Sequence, residues 1–174
     1  MKVGVLTVAI GLASTVLATS SGIAGGPSCP QRPERRNPAL LTIRALHIFN
    51  KPIRAGSCNL AKGPIWDPGY PVRPGQGMTM VIDAHDVTPV PGYGAHGPFY
   101  NLYRIRPGYL AKIKWKGVWR TYRFVMKPTP RTQKHPIVKT SFRVESVWFR
   151  CCWPRYTKND FLYERAVLVR PRNH

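Results

Sequence analysis

The chain has 174 residues, with 27 Lys+Arg against 7 Asp+Glu, for a formal net charge of +20. That length suits one domain able to bury a core, and a hydrophobic fraction of 43% excludes an intrinsically disordered chain despite the charge. The 15 Gly and 18 Pro follow no period, which excludes collagen-like and coiled-coil architectures. The charge implies attraction to polyanions, without choosing among nucleic acid, anionic lipid and phosphate-bearing wall polymers.

Residues 1–31 carry one charged side chain, Lys2. The apolar run Val3 to Ala13 follows, then small residues from Ser14 to Ala24. Residues 1–26 therefore read as an export signal: a positive start, an apolar middle, and Gly22-Ile23-Ala24 before Gly25. A membrane-spanning helix needs ~20 predominantly apolar residues. Thr7, Ser14, Thr15, Thr19, Ser20 and Ser21 interrupt this stretch, so cleavage and retention as a membrane anchor both stay open. Residues 27–39, with Pro27, Pro30, Pro33 and Pro38 among Arg32, Arg35 and Arg36, read as an extended linker to a folded domain over 40–174.

Export places Cys29, Cys58, Cys151 and Cys152 where disulfides are permitted. A Cys29–Cys58 bridge is one candidate, but four cysteines allow three full pairings and the sequence selects none. No Cys/His spacing suits zinc: Cys151 and Cys152 are too close in sequence to supply two tetrahedral ligands, and His135 is isolated.

From Leu40 onward the chain reads as strands. Leu40 to Leu46 and Met78 to Ala84 are short, β-branched and flanked by Gly/Pro clusters. Tyr109 to Trp115 and Val118 to Val125 alternate around Lys116-Gly117, which predicts a tight hairpin. Further strands are expected in Val138 to Phe149 and Tyr163 to Arg170, and the one helical candidate is Pro98 to Arg104, with Pro at its first position. Short strands with turn signals between them predict an all-β barrel or sandwich.

Three features carry candidate chemistry. His85 ends a buried-looking strand and opens the loop Asp86 to Gly97, a place where function often sits; His96 in the same loop competes with it. Cys151-Cys152-Trp153-Pro154 closes a strand, because Pro154 cannot continue a ladder. A thiol at a strand end can face a cleft where a cation lowers its pKa from ~8.5. Arg165 interrupts an apolar strand, Ala166-Val-Leu-Val169, and a charge there faces either solvent or a site.

The order His85, Cys152, Arg165, with 165 − 152 = 13 residues from thiol to guanidinium, resembles the sortases, the cysteine transpeptidases of Gram-positive cell surfaces. The resemblance runs from about Leu40 to Val169. Thr79-Met-Val-Ile-Asp-Ala-His85 is similar to the family's strand ending in Ala-Gly-His, with Asp83-Ala84 in place of Ala-Gly. Phe99 to Gly108 resembles its Phe-x-x-Leu…Gly-Asp segment, with Tyr109 where the Asp stands. Cys152-Trp-Pro154 resembles its Cys-x-Pro, and Glu164-Arg165-Ala-Val-Leu-Val169 its Arg-bearing last strand. Before the nucleophile the family has Thr-Leu-x-Thr-Cys, whereas this chain has Trp148-Phe-Arg-Cys-Cys152. The overall composition is similar to that of sortase-like proteins, class E or F in kind, of actinobacteria and their phages.

The resemblance implies a closed sortase-type β-barrel of about seven or eight strands with one or two short helices. It implies Cys152 as nucleophile, His85 as general acid/base, Arg165 as oxyanion and substrate stabiliser, and Cys151 and Trp153 as substrate contacts. The reaction would cleave an LPXTG-like sorting signal on a surface protein through a thioacyl intermediate. The acyl group would then pass to an amine of peptidoglycan or a pilin, at the outer face of the membrane or wall. No cofactor or metal is implied, the seven acids forming no evident cluster for calcium, and no specific nucleic acid is expected. The contrasting expectation is a non-catalytic exported basic β-domain that binds nucleic acid or teichoic acid. Lys112 to Arg123, with its interleaved cations and aromatics, suits that alternative.

Overall fold

The computed structural model describes residues 38–87, 96–132, 144–154 and 160–170. The expected export signal, most of the linker, and residues 138–143 of one expected strand lie outside them, as does Cys29; so does the side chain of Cys58.

Nine strands form among the described residues. They are β1 (Ala39–Ile43), β2 (Ile48–Ala55), β3 (Ile65–Trp66), β4 (Thr79–Asp83), β5 (Leu110–Trp115), β6 (Val118–Phe124), β7 (Thr129–Thr132), β8 (Ser146–Trp153) and β9 (Asp160–Leu168). Hydrogen bonds link them in the order β6-β5-β1-β2-β3-β4-β8-β9, and β9 pairs back onto β6. Eight strands thus close into a barrel, which leaves no open edge in the ring. β7 lies outside that ring and pairs with the first half of β9, from Thr132↔Asp160 to Thr129↔Tyr163, whereas β6 takes the last residues, Ala166 to Leu168. The expected all-β barrel is therefore the observed one.

The β5–β6 hairpin turns at Lys116-Gly117 as its sequence predicts. Both residues have positive φ, 49° and 83°, the backbone form whose twist matches that of paired strands. The expected helix over 98–104 is instead a turn followed by one 3-10 segment, Leu102–Arg104. A run this short cannot nucleate an isolated helix; its conformation follows from Phe99 and Leu102, both wholly buried in the core.

The barrel interior is filled by one face of each strand: Leu41, Ile43, Met80, Ile82, Ile113, Phe124, Val147 and Phe149 are at most 1% exposed. Phe149 lies at the centre, with its ring 5.2 Å from that of Phe124 and 5.8 Å from that of Phe99. β4 and β8 are parallel neighbours, and their outer face is covered too. Val81, Trp148 and Tyr163 form a second cluster there with Tyr70, Met126 and Phe161 packed against it. Burial on both faces explains why β4 reads as a continuous apolar run rather than an alternating one.

Two of the buried carboxyls, Glu145 and Glu164, lie in contrasting surroundings. Glu145 accepts hydrogen bonds from the Tyr122 hydroxyl (2.6 Å) and the amides of Gly75 and Gly77 (2.9 and 3.1 Å), pinning the turn before β4 to the barrel end. Glu164 lies opposite Phe149 and is wholly buried, and burial pushes its pKa up to about 8. The folded chain therefore keeps a proton that the unfolded chain releases near 4.5. This contribution to stability is complete below pH 4.5 and is lost as pH rises through about 8. Glu164→Gln should flatten that slope, so that urea unfolding finds the variant more stable than the parent at pH 8.5 but not at pH 4.5.

Candidate active site

The pairing of β4 with β8 assembles the site. The two strands run parallel in the register Thr79↔Ser146 to Asp83↔Arg150, and the Ala84 amide donates to the Arg150 carbonyl at 3.1 Å. Two residues beyond the last pair on each chain stand His85 and Cys152. Side chains alternate across a strand. Met80, Ile82, Val147, Phe149 and Cys151 point into the barrel, and Val81, Trp148 and Arg150 point outward. The same alternation turns Cys152 outward. Cys151 and Cys152 both carry thiols rather than a mutual disulfide, and on one continuous strand their sulfurs leave opposite faces.

His85 is fixed through its backbone. Its carbonyl accepts the Phe99 amide (3.0 Å), and the Asp86 carbonyl accepts the Gly97 amide (2.8 Å). The approach is so close that a Cβ on Gly97 would fall 2.1 Å from the His85 carbonyl oxygen. Gly97 is thus required for this contact, because any side chain must push the histidine backbone away. His96, the competing histidine, is exposed and stacked on Tyr100, with ring centroids 3.6 Å apart.

The remaining sequence-derived candidates fall in different places. Cys151 is 4% exposed and belongs to the barrel core, so it faces away from Cys152. Trp153 is half-buried, packs against the core and tilts against Tyr103 at 6.3 Å. Arg165 shares the outer face with Cys152 but lies opposite Trp148; the residue opposite Cys152 is Phe161. Four residues of strand separate the two levels, about 13 Å at ~3.3 Å per residue. Arg165 is only half-exposed, and loss of hydration lowers its pKa. The register therefore puts His85 and Cys152 at matching positions past the last β4–β8 pair and sets Arg165 farther along the outer face.

Sequence reasoning missed a charged cluster between them. Arg150 donates from Nε and Nη2 to the two carboxylate oxygens of Asp83 (2.8 and 2.7 Å), and Nη2 also bonds Asp67. Its guanidinium lies 4.7 Å over the Phe161 ring. Asp67 accepts the Gly69 amide at 2.7 Å, so the cluster joins the turn after β3 to β4 and β8. Burial raises the Asp83 pKa to about 6 against the pull of Arg150, while the two carboxylates hold Arg150 firmly charged. Asp83 and Arg150 each precede a candidate catalytic residue by two positions, and that spacing alone could have pointed to them.

No protein-family model matches this sequence, and no curated protein does. Solved structures do. Sortase A from Corynebacterium diphtheriae, in a lid-mutant form, superposes with a TM-score of 0.66 at 21% identity, covering 83% of this chain and 76% of that one. Sortase C-1 from Actinomyces oris gives 0.65 at 18%, covering 76% and 74%. The sortase D5 transpeptidase of Clostridium perfringens gives 0.62 at 16%, covering 77% and 79%. The fold is that of the sortases. In this sortase fold the outer face of β4 and β8 carries a partly buried ion cluster directly before the two candidate catalytic residues.

Arg150→Gln should remove the one cation between two poorly hydrated carboxylates and lower stability by about 3 kcal/mol, read by urea denaturation at pH 7.5. Adding Asp83→Asn to that variant should recover part of the loss, because it removes the uncompensated charge.

Proposed function

We propose that this protein is a sortase-type cysteine transpeptidase acting on the exported side of the membrane. What supports the reading most is that His85 and Cys152, 67 residues apart in sequence, each follow by two residues the last register pair of adjacent strands in a sortase barrel. The Cys152 thiolate attacks the carbonyl carbon of the Thr–Gly bond in an LPXTG-like sorting signal. The carbonyl electrons move onto oxygen to give a tetrahedral oxyanion. As that intermediate collapses, His85 in its imidazolium form donates a proton to the departing Gly amine and the C–N bond breaks. The acyl group remains as a thioester on Cys152. An amine of peptidoglycan or of a pilin then attacks the thioester, giving up a proton to His85, and the thiolate leaves. Arg165 is assigned the substrate backbone along the outer face and, by leaning toward the cysteine, the oxyanion. Trp153 is assigned a substrate contact at the strand end. The chemistry as written uses side chains alone, and His85 returns to its starting protonation state after each cycle.

The full chain incubated with an LPXTG peptide should form an adduct on Cys152 of the mass expected for a thioacyl enzyme. Added glycine oligopeptide should release it as the joined product, and Cys152→Ala should show neither signal. His85→Ala should lower kcat/KM by ~10²–10⁴, and Arg165→Ala by ~10²–10³. A peptide adduct absent from Cys152 across LPXTG, LAXTG and related pentapeptides, in protein shown to be folded and reduced, would overturn the assignment.

A further inference from the structure

At the β8 end lies an open cleft of about 1180 Å³, with Arg104, Arg106, Lys127, Tyr103, Tyr109 and Trp153 in its walls. None of its lining residues is acidic. Arg104, Arg106 and Lys127 are all exposed, and among the described residues no carboxylate lines the cleft beside these three cations. We propose that this cleft binds a phosphate-bearing polymer with a saturated repeat, a polyol or sugar phosphate, and so holds the protein on an anionic matrix.

Three observations select that chemistry. Three cations around one concavity focus a positive potential, which favours a ligand with repeated negative charge. A single-stranded nucleic acid needs aromatic faces on which bases can stack. Here the Tyr103 ring lies under the Arg104 guanidinium (5.3 Å) and tilts 37° against Trp153, while its hydroxyl accepts from Arg104 Nε at 2.7 Å. Those rings are engaged with one another and with the cation rather than arranged as a platform. An acidic peptide would gain most by adding a strand to an open sheet edge. The edge beside the cleft is β7, and Pro130 within it has no amide to donate. A flexible phosphate chain needs neither platform nor ladder. Two arginines suit it further, since the guanidinium fork matches phosphate oxygens.

The site needs no thiol, so it is tested apart from the transpeptidase reading. Full-length Cys152→Ala protein is titrated with poly(glycerol phosphate) between 50 and 300 mM salt, with length-matched single-stranded DNA and polyglutamate as the other arms. Replacing Arg104, Arg106 and Lys127 together by Gln should weaken polymer binding about tenfold or more and lower the salt slope by up to about three. The same exchange at Lys112, Lys116 and Arg123, equally exposed on the β5–β6 hairpin, should change it less than about twofold. Six exposed side chains are involved, so folding is not at stake. The inference fails if the cleft variant binds as the parent does, if the hairpin variant loses as much, or if DNA or polyglutamate binds more tightly than poly(glycerol phosphate).

Discussion

Everything chemical in this molecule depends on one parallel strand pairing. β4 and β8 share five consecutive register positions, and each carries its candidate catalytic residue just beyond the last of them. Parallel neighbours cannot be joined by a tight turn. The chain between them has to cross over, and on the way it supplies β5, β6 and β7 and the segment 96–108 that packs on His85. The ladder is locked from both sides: the aromatic core lies on the inner face, and Val81, Trp148, Tyr163 and the Arg150 ion cluster lie on the outer one. A register slip of one residue would turn Phe149 to the outside and Arg150 into the core. That cost fixes the β4–β8 register that ends two residues short of His85 and Cys152.

Charge is partitioned in an unusual way. Of the seven acids, Asp67, Asp86, Glu145 and Glu164 are buried and Asp83 is nearly so. The acids therefore serve the interior, tying turns to the barrel or bracketing Arg150, and do little to moderate the cationic surface. A net charge of +20 opposes compaction by self-repulsion. The closed barrel tolerates it because the stabilising apolar burial is inside and the cations project outward at alternating strand positions such as Lys112 and Arg123. The same partition leaves the described lining of the cleft with Arg104 and Lys127 without an acidic residue.

The strands that read as apolar or alternating runs, β1, β4, β5, β6 and β9, could be read from local pattern, as could the turn at Lys116-Gly117. β2, β3 and β7 could not. β2 contains Asn50, in a left-handed backbone form, and Pro52; β3 is two residues long; β7 contains Pro130. Each looks like a turn or breaker until its partner strand is known, since β2 is held by β1 through Leu40↔Pro52 and β7 by β9 through Pro130↔Leu162.

The amino-acid order determined what is local: which segments are extended, that His85 follows a buried strand, and that Cys152 ends one ahead of Pro154. Only tertiary structure decided which residues share a level and a face. It put His85 and Cys152 each two residues past the last β4–β8 pair, placed Phe161 rather than Arg165 across from that cysteine, turned Cys151 into the core, and joined Asp67 and Asp83 through Arg150. Strand periodicity tells which residues alternate, but the offset between two strands 67 positions apart is set by how their side chains fill a common interior. That packing exists only when all eight staves of the barrel are in place.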